Sequence, residues 1–104
     1  MGQREARLSR EIQKRLREEY GRDLWCFKVH GGPMTPAGTP DIIGVVQGRF
    51  FALETKVPDP SSQPSVIQLH IMSKLERAGA IVGVPRSVAD ALDIVAQGLL
   101  PGSS

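Results

Sequence analysis

The segment Gly38–Lys56 constrains the fold of this chain more than any other part of the sequence. It holds an apolar run, Ile42–Val46, and a second run, Phe50–Val57, which are separated by Gln47-Gly48. A two-residue connection that ends in glycine favours a tight hairpin turn, because glycine adopts positive φ at little steric cost. The segment therefore predicts two antiparallel strands. Strand alternation puts one set of side chains of the second run on a common face: Phe51, Leu53, Thr55 and Val57.

Three ionisable side chains fall at the open end of this hairpin. Glu54 and Lys56 share the other face of the second strand with Ala52, and the tight turn brings Asp41 close to both. Neighbouring carboxylates repel each other unless positive charge lies between them, and either Lys56 or a hard divalent cation such as Mg²⁺ supplies it. The alternative is a solvated Glu–Lys pair at a surface strand end, which contributes little to stability.

The motifs around the hairpin resemble the P-D…(D/E)-x-K signature of the PD-(D/E)XK nuclease superfamily, and within it the VRR-NUC family. The matching segments, in chain order, are Gly38-Thr39-Pro40-Asp41, Glu54-Thr55-Lys56, Gln68, Ala78-Gly79 and Arg86-Ser87. The resemblance extends from the first predicted helix to about Leu92, and the motif is also similar to that of archaeal Holliday-junction resolvases. It implies a restriction-endonuclease-like α/β core of order α-β-β-β-α-β-α, with a mixed central sheet flanked by helices.

The resemblance also implies a metal-dependent active site at the end of the hairpin. Asp41 and Glu54 would bind one or two Mg²⁺ ions, which Mn²⁺ would replace, with help from the backbone carbonyl of Thr55. Lys56 would position the attacking water or neutralise developing charge. The family places a glutamine at the start of a helix near this lysine, and Gln68 matches it. Its alternative role is structural, because Ser65-x-x-Gln68 fits a capping box.

The first helix supplies a candidate third carboxylate. Its pattern predicts an amphipathic helix from Arg4 to Tyr20 with one apolar stripe, formed by Leu8, Ile12, Leu16 and Tyr20. Glu5 projects into the middle of this stripe, whereas Glu11 lies toward its edge. The resemblance implies a glutamate on this helix near the metal, which Glu5 matches best, with Glu11 as the substitute. The alternative for Glu5 is a first-turn glutamate favoured by the helix dipole.

The distribution of charge suggests surfaces for DNA. Residues 1–30 carry eight Lys and Arg against five Asp and Glu, whereas the net charge of the whole chain is only +2. A basic helix face that includes Arg10 and Lys14 attracts a phosphate backbone, although a solvated face with local ion pairs explains it equally well. Lys28 and His30 are further candidate DNA contacts, and the alternative for His30 is a hydrogen bond to the backbone. Arg86 would hold either a phosphate or a structural carboxylate.

The remaining segments predict the rest of a single domain over residues 1–104. A strand over 24–30 leads into a Gly/Pro-rich loop over 31–40, and a second loop covers 58–64. A helix over 65–78, a strand over 80–84 and a helix from Ser87 to about Gln97 follow, and residues 98–104 are expected to form a frayed tail.

Composition narrows the class of protein. No apolar run approaches the roughly 20 residues of a membrane span, and no signal peptide is evident. The single cysteine, Cys26, lies in an apolar run and fits a reducing compartment. We therefore expect a cytoplasmic protein, bacterial or phage-encoded, that acts as a homodimeric DNA endonuclease on branched DNA, above all four-way junctions. The alternatives are a defence, restriction-type or flap nuclease, and a non-catalytic nucleic-acid-binding module.

Overall fold

The computed structural model describes residues 2–102, and its elements follow the predicted order α-β-β-β-α-β-α. A short 3₁₀ turn, Gly21–Asp23, joins the first helix to the first strand. The helices and strands are α1 (Gln3–Tyr20), β1 (Leu24–Lys28), β2 (Ile42–Val46), β3 (Arg49–Leu53), α2 (Val66–Arg77), β4 (Ile81–Gly83) and α3 (Val88–Leu99).

The four strands form one mixed sheet of order β1-β2-β3-β4. The first three strands are antiparallel neighbours, and β4 runs parallel to β3 after the crossover through α2. The predicted turn between β2 and β3 is confirmed, because Gln47 and Gly48 both have positive φ, at 49° and 82°. Such a turn matches the twist of the strands that it joins, so the register of the hairpin is fixed.

The sheet separates the helices into two layers. α1 and α3 cover one face, where the main core contains Ile12 and Leu16 of α1, Phe51 of β3 and Val95 of α3. The predicted stripe of α1 is therefore confirmed, with Leu8 and Tyr20 partly buried at its ends. α2 packs against β4 on the opposite face, where Met72 and Ala52 are buried outside this core cluster. The predicted helix layers on both faces are thus present.

Two strand boundaries were predicted too far along the chain. β3 ends at Leu53 rather than Val57, because the backbone N–H groups of Glu54 and Lys56 turn to the carbonyls of Gly83 and Pro85, at 3.0 and 3.2 Å. β1 likewise ends at Lys28 rather than His30.

The C-terminal helix is longer than expected. α3 continues to Leu99, which packs against the core, so the predicted tail at 98–104 begins too early. Residues 103 and 104 of that tail lie outside the described residues. None of the helices within residues 2–102 is long and apolar enough to span a bilayer.

Candidate metal centre

Asp41 is held rigidly where β2 begins. One carboxylate oxygen, Oδ1, accepts a 2.7 Å hydrogen bond from the backbone N–H of Thr55, and the Asp41 carbonyl accepts a 2.7 Å bond from the N–H of Val29. The side chain thereby replaces a backbone partner at the point where the β2–β3 ladder ends. The hairpin thus fixes the orientation of the carboxylate, as well as its position next to Glu54-Thr55-Lys56.

The second oxygen of Asp41, Oδ2, is buried and has no hydrogen-bond partner among the described residues. A buried carboxylate oxygen without a partner is costly, because the charge has lost its water and gained nothing in exchange. Burial accordingly raises the pKa of Asp41, and the Thr55 hydrogen bond and the charge of Lys28 oppose this rise. An oxygen of this kind is the ligand that a hard divalent cation prefers.

Glu54 lies beside Asp41 at the end of β3 and is also buried. Burial and the neighbouring Asp41 raise the pKa of Glu54 to about 7, although Lys56 opposes the shift. Lys56 Nζ lies 3.6 Å from Glu54 Oε2, so the predicted proximity of all three side chains is present. One lysine balances only part of the charge of two buried carboxylates, and the donor set therefore fits an additional cation.

The centre contains two carboxylates rather than three. Across residues 2–102, no group of three or more His, Cys, Asp or Glu side chains is close enough to hold a metal ion together. Glu5 is not brought to the pair, since its Oε1 accepts a 2.9 Å hydrogen bond from Ser62 Oγ in the 58–64 loop. A metal held by Asp41 and Glu54 would therefore complete its coordination with backbone oxygens, water and substrate phosphate.

A cleft opens over this pair of carboxylates. Its lining combines Lys28 and Gln68 with Asp41, Glu54 and the Gly/Pro-rich loop over residues 31–39. Gly38 anchors the loop on α2: its φ is 82°, and a Cβ placed there would lie 2.9 Å from the carbonyl oxygen of Ile67. The glycine of the G-T-P-D segment therefore allows the loop to approach α2 closely and to form one wall of the cleft.

Gln68 takes the structural role and keeps one functional group for the cleft. Its Oε1 accepts from the N–H of Ser65 at 2.7 Å, and Ser65 Oγ accepts from the N–H of Gln68 at 3.2 Å, so the predicted capping box is present. The capping bond uses the amide oxygen and not the amide nitrogen. The same residue lines the cleft, and the positioning role predicted from the family resemblance remains compatible with the cap.

The basic residues proposed from sequence occupy different surroundings. Lys28 lines the cleft, whereas Arg86 is committed to the 58–64 loop: it donates to the carbonyls of Val57 and Ser62 at 2.7 and 2.8 Å and to Gln63 Oε1 at 3.1 Å. His30 is exposed, and its backbone carbonyl accepts from Thr35 Oγ1.

The exposed side chains of Arg10 and Lys14 belong to α1, which packs on the sheet face opposite α2. Their predicted contact with DNA therefore requires DNA to reach beyond the cleft.

Sequence reasoning missed two features of this region. The bond from the Thr55 N–H to Asp41 depends on a backbone group, which no residue pattern reveals. Ser9 and Gln13 form a buried polar step on α1, with Gln13 Nε2 donating to the Ser9 carbonyl at 3.2 Å. Their four-residue spacing after Glu5 was a visible signal for this second, polar stripe.

Comparisons with known proteins support the fold. No family model matches the sequence, and no curated protein does. A solved structure described as a VRR_NUC domain matches with a TM-score of 0.71 at 22% identity, over 91% of this chain and 97% of that chain. Hjc, a Holliday junction resolvase from the archaeal hyperthermophile Archaeoglobus fulgidus, matches with a TM-score of 0.55 at 20% identity, over 79% of this chain and 70% of that chain.

The chain therefore has the restriction-endonuclease-like α/β fold of these two proteins. The predicted fold class is confirmed, and so is the resemblance to VRR-NUC domains at the level of the fold. The identities are too low for the function to follow from the likeness, and the chemistry must be argued from the residues of the cleft.

The raised pKa of Glu54 predicts how stability depends on pH without metal. Between its unfolded value of 4.5 and about 7, the folded state binds more protons than the unfolded state, so stability falls as pH rises. The full shift corresponds to about 3 kcal/mol, and we expect about 2 kcal/mol because water reaches the cleft. Urea unfolding in EDTA measures this slope. Glu54→Gln should flatten it, and an unchanged slope would contradict the assignment.

Proposed function

We propose that this protein is a divalent-metal-dependent endodeoxyribonuclease that hydrolyses phosphodiester bonds in branched DNA. The observation that carries the proposal is the pair of buried carboxylates, Asp41 and Glu54, with an unpartnered oxygen on Asp41 and an ammonium 3.6 Å from Glu54. As a purely structural feature this arrangement would cost stability, because burial disfavours both charges. As a cation site it is consistent in charge, ligand type and access to the cleft.

Each residue of the site has a defined part in the proposed hydrolysis. Asp41 and Glu54 hold Mg²⁺ or Mn²⁺, with the Thr55 carbonyl as a further ligand. When bound, such a cation polarises a phosphoryl oxygen and lowers the pKa of a coordinated water. The Thr55 N–H keeps Asp41 in its orientation. Lys56 donates to the attacking water or to a non-bridging phosphate oxygen, and its charge offsets the negative charge that develops as the P–O bond breaks.

The choice of branched DNA rests on the size of the chain and on the second structural neighbour. Hjc is described as a Holliday junction resolvase, and this chain shares its fold. A four-way junction is nearly two-fold symmetric, so two matched cuts suit a symmetric dimer of a small domain. Specificity would then come from DNA shape and backbone rather than from base contacts.

Cleavage of matched substrates tests this proposal. Four-way, flap, linear duplex and single-stranded DNA of shared sequence are incubated with Mg²⁺, Mn²⁺, Ca²⁺ or EDTA. We expect cleavage with Mg²⁺ and Mn²⁺ only, with paired symmetric cuts in the four-way junction. Preferential cutting of flaps or of one linear sequence would replace the resolvase with the flap or restriction-type nuclease. Metal-independent binding without any cutting would favour the non-catalytic DNA-binding module.

The glutamates of α1 provide a matched pair for a further prediction. Glu5→Ala removes the bond to Ser62, which helps to hold the loop that follows Lys56. We expect a cleavage rate about tenfold lower, because small displacements of catalytic groups are costly. Glu11→Ala removes the same charge from the same helix and should have a smaller effect. Ser62→Ala, which removes the other partner of the bond, should reproduce the loss. A larger loss in Glu11→Ala would move the role to Glu11.

A further inference from the structure

The sheet face opposite α1 and α3 exposes large apolar side chains over β1, β2 and β3. The exposed fractions are 65% for Trp25, 41% for Phe27, 43% for Val45 and 40% for Phe50. The register makes the surface continuous, since Val45 lies between Trp25 and Phe50, and Phe27 lies beside Ile43. The rings of Trp25 and Phe27 are 5.2 Å apart. We call the surface formed by these five residues the apolar platform.

The size of the apolar platform matches the core of a protein interface. With about 200 Å² for an extended aromatic side chain, more for tryptophan and less for valine, the exposed fractions correspond to about 400 Å². This is at the scale of the largest patches on soluble monomers. If about 60% of an interface is apolar, such a patch implies about 650 Å² per partner, within the range for specific complexes.

The charges around the apolar platform argue against nucleic acid as its occupant. Binding of a single strand to aromatic residues is accompanied by cations that track the phosphates. None of the five platform positions is basic. Arg49 is the nearest basic residue of the hairpin in sequence, but it donates to the carbonyls of Gly98 and Gly79 at 2.6 and 2.9 Å and is thereby committed elsewhere. The surface is therefore suited to an equally apolar partner.

The edge of the sheet indicates how such a partner would dock. β1 is an edge strand, and an unprotected edge invites another chain to extend the sheet. Here Arg17 Nη2 donates to the carbonyl of Cys26 at 3.1 Å and so covers part of that edge. Face-to-face packing through the apolar platform avoids this obstruction.

We propose that the apolar platform is the two-fold interface with a second copy of this chain. An isologous contact buries Trp25, Val45 and Phe50 of both copies against each other and needs no other partner. This surface differs from the basic surface of paired first helices expected from the sequence, because α1 lies on the other face of the sheet.

The interface would also set the distance between the two candidate metal centres. By strand alternation, Asp41 and Glu54 lie on the same face as the platform, one row beyond Phe27, Ile43 and Ala52. Rows along a strand are about 7 Å apart, so a rigid platform contact would hold both centres at a fixed separation. This consequence for paired cutting rests on the proposed function, whereas the interface itself does not.

The single tryptophan of the chain makes the interface directly observable. We expect light scattering to give twice the 11.3 kDa chain mass, and we expect Trp25 emission to shift to the red on dilution as the dimer dissociates. Val45→Glu keeps Trp25 and should give an 11.3 kDa species with red-shifted emission and an unchanged far-UV spectrum. Val66→Glu is the matched control, because Val66 is 85% exposed on α2 and outside the platform. The control should remain dimeric.

Every other outcome separates the inference from the proposed function. If Val45→Glu does not fold, Trp25→Glu tests the mass instead, because Trp25 is the most exposed platform residue. A wild-type monomer at about 100 µM overturns the interface, as does a Val45→Glu dimer. Quenching of Trp25 by a single-stranded oligonucleotide on a monomer would make the platform a nucleic-acid surface. A dimer that cuts no DNA with any metal contradicts the proposed function and leaves the interface standing.

Discussion

Asp41→Asn and Glu54→Gln should each abolish DNA cleavage, with a fall of at least about 10³-fold in the single-turnover rate. Each change removes one negative charge from a site that holds a cation through two carboxylates, and it alters little in size. DNA binding should remain or become tighter, because less negative charge then faces the phosphates. Rates with Mg²⁺ on a labelled four-way junction, and binding by anisotropy in Ca²⁺, measure the two effects separately.

A matched control shows whether the loss belongs to this pair of carboxylates. Asp93→Asn and Glu76→Gln make the same chemical changes at exposed positions on α3 and α2, and both should cut at the wild-type rate. If Asp41→Asn or Glu54→Gln cut as fast as these controls, the two carboxylates would not be the metal ligands.

Lys56→Met should lower the single-turnover rate by about 10²-fold and move its pH dependence to higher pH. The first effect follows from the loss of an ammonium at the reacting phosphate. The second follows because Lys56 lowers the pKa of Glu54, so without it Glu54 stays protonated to a higher pH. Rates between about pH 6 and about pH 9 measure both effects.

The exposed lysine of α2 provides the comparison for this experiment. Lys74→Met changes the same net charge at an exposed position and should leave the rate and its pH dependence unchanged. A Lys56→Met variant with a lower rate and an unshifted profile would mean that Lys56 does not act on Glu54.

Local patterns in the sequence were sufficient to predict most of the fold. Gln47-Gly48 set the hairpin, Ser65-x-x-Gln68 set the start of α2, and the periodicity of α1 identified its buried side. Each of these signals depends on neighbours in sequence, and each is present in the structure. Alternation also placed Phe51, Leu53 and Thr55 correctly on the buried face of β3.

The features that sequence could not supply depend on contacts between distant segments. β3 ends early because Glu54 and Lys56 bond to the segment after β4, which lies about thirty residues further along the chain. Glu5 was placed near the metal by its position on the helix, but its actual partner is Ser62. The exposure of Trp25 depends on how far α2 reaches across the sheet, and a strand rich in apolar residues gives no sign of this.

Calorimetric titration of Mn²⁺ into the protein tests the central claim most directly. The account predicts binding to the wild type that is lost in Asp41→Asn and in Glu54→Gln and kept in Asp93→Asn. Because burial raises the pKa of Glu54 to about 7, binding should release a proton below that pH, and affinity should increase as pH rises through it. Mn²⁺ binding that survives both substitutions, or no binding at millimolar Mn²⁺, would contradict a metal centre at Asp41 and Glu54.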